Sequence, residues 1–300
     1  MDLYNGFNGL RHRINWTYFS VLDGLAHPLY SKKAYQGISE IGEDQNTEVE
    51  NKDNSQFIDM SLAKDIEAYF QENGIDHEKV AYCITDLEHN IKYSMNEKDE
   101  FIAASIYKLP LAMLYYDKIN EGEYTLDSTF TYSGYMHEGA GVISSNYGIG
   151  SQVPLSDLLN DLIIYSDNDA GHILYENLGG WKEYKEAMTK YTNSISENYY
   201  TMDNVTTVNT MNDVVTYLYD HKEDYKVLIK NMEKAEPGEY LDRDTQLNMP
   251  QKYGMYDYAL NSVGFVECNT SYSIVVLTSL GDKGADVMAN INRIAYEHFK

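Results

Sequence analysis

The sequence predicts an α+β fold: a five-stranded antiparallel sheet flanked by terminal helices, with a helical domain inserted between its second and third strands. Three observations lead to this prediction. Two β-type runs follow a first amphipathic helix, a long helical block comes after them, and three more β-type runs precede a closing helix. Strands separated by such a block are expected to form one sheet beside an all-helical lobe. A cleft between the two is a natural binding site.

The first predicted helix covers residues 61–73 and ends at Gly74. Ser61 is expected to be its N-cap residue, because a serine hydroxyl accepts a hydrogen bond from a free backbone N–H at a helix start. A hairpin turning at residues 88–90 is predicted next, within "KVAYCITDLEHNIKYSMN". The apolar stripe that predicts the helix consists of Leu62, Ile66, Tyr69 and Phe70.

The rest of the domain follows the same logic. "LPLAMLYYDKINEG" has apolar residues at helical spacing up to Gly122, so Ser105 lies at or near a helix start. A mostly helical lobe is predicted at about residues 125–240. "QKYGMYDYALNSVGFVECNTSYSIVVLTSL" then predicts three strands, and "KGADVMANINRIAYEHF" predicts the closing helix.

The region before the domain is different in character. Residues 1–56 have weak periodicity and end in the acidic, polar stretch "ISEIGEDQNTEVENKDNSQ", which predicts a flexible linker before a domain at 57–300. The opening "MDLYNGFNGLRHRINW" does not have the pattern of a signal peptide. No run of about eighteen apolar residues is present, so no membrane span is expected. Whether a leader or anchor has been removed stays open.

The charge of the chain excludes some partners. A formal net charge of −24 and a pI near 4.5 argue against binding to nucleic acids or anionic membranes, because both are polyanions. Cys83 and Cys268 have no metal-ligand spacing, so a zinc site is not expected. No metal or cofactor is predicted.

One spacing in the chain suggests chemistry. Ser105 and Lys108 form an S-x-x-K pair at the predicted helix start. About one such pair is expected by chance in a chain of this length. A second pair, Ser61 and Lys64, is explained by the first helix. A catalytic role for Ser105 therefore needs support from other motifs.

Two further motifs supply that support: Ser166-Asp167-Asn168 in the helical block and Lys252-Tyr253-Gly254 at a strand start. S-x-x-K, S-D-N and K-x-G in this order resemble the class A β-lactamases and the penicillin-binding D,D-peptidases. The resemblance covers about residues 57–300. It implies a monomeric serine hydrolase that acts on a β-lactam or a peptidoglycan-like stem peptide without a cofactor. It also implies an extracytoplasmic location, although a cytoplasmic one stays open.

The resemblance implies a role for each motif residue. Ser105 is the nucleophile, and neutral Lys108 is the base that it needs, because a serine hydroxyl is a poor nucleophile until a base takes its proton. Burial and a second cation, Lys252, keep Lys108 neutral. Ser166 passes a proton to the leaving nitrogen. Substrate binding falls to Asn168, Lys252, Tyr253 and Gly254, and the backbone N–H groups of Ser105 and Met255 form the oxyanion hole.

The chain departs from the family pattern in two places. The glutamate that activates the deacylating water in class A enzymes lies in an E-x-x-L-N pattern, which is missing here, although Glu197 and Asp203 lie in the corresponding segment. Tyr253 stands where the family has Thr or Ser, and the next strand lacks the arginine that many class A enzymes use for the substrate carboxylate. Slow deacylation and weakened carboxylate recognition are expected.

Three interpretations remain. The leading one is an active serine acyltransferase or hydrolase. The rival is a catalytically weak member that binds cell-wall peptide or a protein partner, and the two departures favour it. A purely structural protein would make all three motifs coincidental.

Both cysteines are expected to be free thiols. In a family-like sheet, Cys83 lies on the first strand and Cys268 near the end of the fourth, with the last strand between them. Strands two places apart are nearly 10 Å from each other, which exceeds the limit of roughly 7 Å between Cα atoms for a disulfide.

Overall fold

The computed structural model describes residues 60–300, and the predicted linker, residues 1–56, lies outside the described residues. The described part is an α+β fold, as predicted. The elements in chain order are α1 (Ser61–Asn73), β1 (Val80–Asp86), β2 (Ile91–Met95), β3 (Phe101–Ile102), α2 (Lys108–Asn120), β4 (Thr129–Thr131), α3 (Val142–Asn146), β5 (Gln152–Pro154), α4 (Leu155–Ile164), α5 (Asn168–Asn177), α6 (Trp181–Met188), β6 (Val205–Thr206), α7 (Val208–Asp220), α8 (Lys226–Met232), β7 (Gln251–Tyr256), β8 (Ala259–Val266), β9 (Tyr272–Thr278) and α9 (Lys283–Phe299).

The main sheet has the strand order β2-β1-β9-β8-β7, and every neighbouring pair is antiparallel. The five predicted strands are thus confirmed, with the helical insertion between β2 and β7. Strands β1, β8 and β9 are buried along their whole length. Helices cover both faces of these strands, which explains their nearly continuous apolar sequences.

Helices α1 and α9 pack on one face of the sheet. Leu62, Ile66 and Phe70 of α1 share a buried cluster with Val287 and Ile291 of α9. The predicted bounds of α1 are confirmed. The prediction that Ser61 is the N-cap is wrong, because Met60 holds that position and Ser61 begins the helix. The Ser61 hydroxyl instead lies 3.4 Å from Nδ1 of His298, where α1 meets α9.

The opposite face of the sheet packs on the helical insertion. Leu109 of α2, Leu158 of α4 and Val214 of α7 join one core with Val263 and Val275 of the sheet. The insertion also contains short strands that the sequence did not predict: β4 pairs with β5, and β3 pairs with β6. The β3–β6 pair places the segment before β6 beside the turn that leads into α2.

Cys83 and Cys268 are both free in the structure, as expected. Cys83 lies on β1, and Cys268 follows β8. Strand β9 lies between β1 and β8, so the geometric reason given for their separation is also confirmed.

In the part of the chain that the structure describes, no helix has the length and apolar character needed to cross a membrane.

Candidate active site

The turn that carries Ser105 is held in an unusual backbone conformation. Residues Ala104–Tyr107 form a single 3₁₀ turn that leads directly into α2. Ala104, just before Ser105, has a φ of +51°, a region that residues with a Cβ rarely adopt. Such strain persists only where the surroundings impose it, and it is frequent at active sites.

Two asparagines hold this turn from opposite sides. The Asn204 side chain donates to the Ala104 carbonyl at 2.9 Å, and its backbone carbonyl accepts from the N–H of Ala103 at 2.8 Å. On the sheet side, Asn261 of β8 donates to the carbonyls of Ile102 and Ala103 at 2.8 and 3.0 Å. The strained turn is therefore fixed to both the sheet and the segment before β6.

Strand β7 touches the turn at Gly254. A Cβ atom at this position would lie 2.6 Å from the backbone nitrogen of Ser105 and 2.8 Å from that of Ile106. Backbone atoms in a packed turn cannot move aside easily, so only glycine allows this approach. The glycine of K-Y-G thereby brings the next residue, Met255, beside the Ser105 turn. The family resemblance predicts that the Met255 N–H is part of an oxyanion hole.

Lys108 is fully buried one turn after Ser105. Its ammonium nitrogen donates to the Ser166 carbonyl and to the Asn168 side-chain oxygen, both at 2.6 Å. Burial is the main influence on this amine and lowers its pKa to about 7, while Asp167, Glu138 and Asp169 act in the opposite direction. A large fraction of Lys108 is therefore neutral near pH 7. The sequence predicted partial burial and a second cation as causes, whereas the structure shows full burial as the cause that lowers this pKa.

Ser166 lies between two lysines, at the turn from α4 into α5. Its φ is +55°, and the next residue, Asp167, caps α5 by accepting from the N–H of Ala170 at 2.8 Å. The Ser166 hydroxyl accepts a hydrogen bond from Nζ of Lys252 at 3.0 Å, and its carbonyl accepts from Lys108. This position allows Ser166 to relay a proton.

Lys252, the lysine of K-Y-G, is also fully buried. Besides Ser166, its ammonium donates to the backbone carbonyl of Tyr253 at 2.7 Å. Burial lowers the pKa of Lys252 well below its ordinary value, and the charge of Lys108 lowers it further. The three sequence motifs thus meet at Ser166, whose carbonyl accepts from Lys108 and whose hydroxyl accepts from Lys252. No trio of His, Cys, Asp or Glu side chains suited to a metal ion occurs within residues 60–300.

Comparison with known protein families gives a match over nearly the whole described region. A model of the β-lactamase enzyme family matches residues 61–299. The chain belongs to the β-lactamase enzyme family. Comparison with curated proteins gives no match.

Solved structures show the same fold. A β-lactamase from Chitinophaga pinensis has a TM-score of 0.67 and 20% identity, over 80% of this chain and 99% of that one. A PBP-A mutant, solved as an acyl-enzyme complex with penicillin G, has a TM-score of 0.68 and 17% identity, over 80% and 96% of the two chains. A β-lactamase from Sphaerobacter thermophilus has a TM-score of 0.66 and 19% identity, over 81% and 98%.

Tyr253 of K-Y-G packs against both a second aromatic ring and Lys252. Its ring stacks on the ring of Tyr240, with centroids 4.8 Å apart and planes inclined by 19°. Nζ of Lys252 lies 4.2 Å from the centroid of the Tyr253 ring. The sequence predicted that a phenol cannot take the place of the family's small hydroxyl, but it gave no indication of Tyr240.

The carboxylate expected for deacylation is also missing from the described site. Glu197 and Asp203 are both exposed. Within residues 60–300, no carboxylate accepts a hydrogen bond from Lys108, and the hydroxyl of Ser166 bonds only to Lys252. Neither candidate acid accepts a hydrogen bond from Lys108 or Lys252 within the described residues.

A buried lysine that sequence reasoning missed holds the segment before β6. Nζ of Lys185 donates to the backbone carbonyls of Tyr199, Thr201 and Asp203. Asn204, which follows directly, then reaches the Ser105 turn. No motif marks Lys185, since its partners are backbone atoms whose position depends on the folded loop.

Proposed function

We propose that the protein is a serine hydrolase or acyltransferase in which a β-lactam or a D-alanyl peptide-like amide acylates Ser105. The observation that carries this proposal is the hydrogen-bonded chain from Lys108 through Ser166 to Lys252, next to the strained Ser105 turn. Membership of the β-lactamase family supports it. An extracytoplasmic location, a monomeric state and a small-molecule or cell-wall peptide substrate are part of the same proposal.

The proposed acylation assigns a step to residues of each of the three motifs. Neutral Lys108 takes the proton of the Ser105 hydroxyl, and the oxygen adds to the carbonyl carbon of the substrate. The backbone N–H groups of Ser105 and Met255 stabilise the oxyanion, and the Asn168 side chain holds the substrate amide. The C–N bond then breaks, the Ser166 hydroxyl gives its proton to the leaving nitrogen and is reprotonated by the Lys108 ammonium, and an ester remains on Ser105.

The proposal assigns no residue to the base that deacylation needs. Hydrolysis of the ester needs a water molecule activated by a base, and Glu197 and Asp203 are exposed. We therefore expect a burst of about one product per protein molecule with a small, reactive β-lactam, followed by much slower turnover. Stopped-flow absorbance at several protein concentrations measures the burst amplitude. Fast steady-state hydrolysis without a burst would contradict slow deacylation and would indicate that an acid reaches the ester in the complex.

The Gly254→Ala variant tests the contact between β7 and the Ser105 turn. The added methyl group meets backbone atoms, so β7 must move, and we expect a loss of about 1–3 kcal/mol in the free energy of unfolding. Acylation should slow by about 10- to 100-fold because the oxyanion donors separate. Chemical denaturation and acylation kinetics measure the two effects. Gly148→Ala is the control, since a Cβ there would meet only the Ser151 hydroxyl at 4.0 Å, and equal behaviour of both variants would refute the contact.

The rival function is a catalytically weak member that binds cell-wall peptide or a protein partner. The aromatic cover on Lys252 favours it, because it removes a cation that would bind the substrate. The absence of any covalent adduct with β-lactams, combined with measurable binding of a stem peptide, would support this function instead.

A further inference from the structure

We propose that the stacked rings of Tyr240 and Tyr253 close the Lys252 side of the site to carboxylates. Ser105 is then acylated by donors that carry an uncharged group beside the leaving nitrogen. This inference rests on the proposed acylation of Ser105 and names the substrate class of that site.

The ammonium of Lys252 has three N–H donors. One faces the Ser166 hydroxyl at 3.0 Å and another faces the Tyr253 carbonyl at 2.7 Å. The ring face of Tyr253 lies 4.2 Å away and attracts the cation through its π electrons. Together with the complete burial of the side chain, these contacts leave no open side for a substrate carboxylate.

The Tyr253 ring is anchored rather than loosely placed. Its stacking partner, Tyr240, lies in the segment between α8 and β7, which hydrogen bonds fix to the strand. The N–H of Leu241 donates to the Gln251 side-chain oxygen at 3.0 Å, and the Gln251 amide donates to Asp242 at 2.8 Å. Moving the ring to admit an anion would break both the stack and its contact with Lys252.

No neighbouring side chain replaces the covered cation. On β8, Ser262 lies opposite Tyr253 and Val263 opposite Lys252, and neither is charged. Arg243, three residues after Tyr240, pairs with Asp244 and Asp286. Neither these β8 residues nor Arg243 therefore offers a substrate carboxylate a free cation in place of Lys252.

The residue that follows the K-Y-G glycine is apolar and exposed. Met255 follows Gly254 on β7, and its side chain is 62% exposed. An uncharged group beside the leaving nitrogen, such as an ester or an amide, fits this surface without the cost of burying an unpaired charge. The departing group of the substrate is thus expected to be neutral and partly apolar.

The test uses two probes that differ only in this charge: benzylpenicillin and its methyl ester. The acylation rate constant of each is measured by intact-protein mass spectrometry, and the acid-to-ester ratio is compared between variants. We expect the unmodified protein to prefer the ester, and Tyr253→Thr to raise the ratio by about tenfold or more, because Lys252 becomes accessible. Tyr258→Thr, an exposed tyrosine in the β7–β8 turn, should leave the ratio unchanged.

The ratio is insensitive to folding losses, since both probes report on the same protein sample. A preference of the unmodified protein for the acid, or an unchanged ratio in Tyr253→Thr, would overturn the inference while leaving acylation of Ser105 intact. If neither probe labels Ser105 in either protein, the proposed function itself fails, and this inference fails with it.

Discussion

Replacing Ser105 with alanine is expected to abolish covalent labelling by a reactive β-lactam and to leave the protein folded. In the proposed mechanism the Ser105 oxygen forms the ester, and alanine has no atom that replaces it. The backbone of the turn is held by Asn204 and Asn261, not by the Ser105 hydroxyl, so the fold does not depend on this side chain. Time-resolved intact-protein mass spectrometry and thermal unfolding measure the two effects.

The chain provides a matched control for this variant. Ser61 belongs to the second S-x-x-K pair and lies on α1, on the other side of the sheet. Ser61→Ala should label at the rate of the unmodified protein. If Ser105→Ala also labels at that rate, Ser105 is not the nucleophile.

Replacing Lys108 with alanine is expected to slow acylation by about 10²–10⁴-fold, the usual contribution of a positioned general base. The unmodified protein should also show a characteristic pH dependence. Burial lowers the pKa of Lys108 to about 7, and only the neutral amine accepts the serine proton. The acylation rate should therefore rise as the pH increases through about 7 and become constant above it.

The Lys108→Ala variant should lose this rise together with the rate. Lys64→Ala, the exposed lysine of the second pair, should retain both. Acylation rates measured between pH 5 and 9, a range of about two pH units on either side of the transition, give the comparison. A normal rate in Lys108→Ala would show that another group is the base, and the absence of a transition near pH 7 in the unmodified protein would contradict a neutral Lys108.

Much of the fold was predictable because its elements have strong local signals. The apolar stripe of α1 and the alternating runs around the turn at residues 88–90 are set by short-range periodicity. The short strands β3 to β6 escaped prediction, because two or three residues carry no detectable period. The error at Ser61 has the same origin, since the choice between N-cap and first helical residue depends on packing against α9.

The site divides in a similar way. Lys108, Ser166 and Lys252 belong to motifs whose spacing reflects their chemistry, and the structure brings them together. Tyr240 and Asn204 carry no motif, because their contacts depend on segments that are distant in sequence. The interpretation of Tyr253 differs most between sequence and structure. The sequence showed only the loss of a small hydroxyl, whereas the structure shows a ring covering Lys252.

The central claim is that Ser105 forms a covalent ester with an acyl donor. The most direct measurement is intact-protein mass spectrometry after exposure to a small, reactive β-lactam, followed by peptide mapping of the adduct. We predict a mass increase equal to one β-lactam molecule, located on the peptide that contains Ser105 and persisting because deacylation is slow. An unmodified mass throughout, without consumption of the β-lactam, or an adduct on a different residue, would contradict the claim.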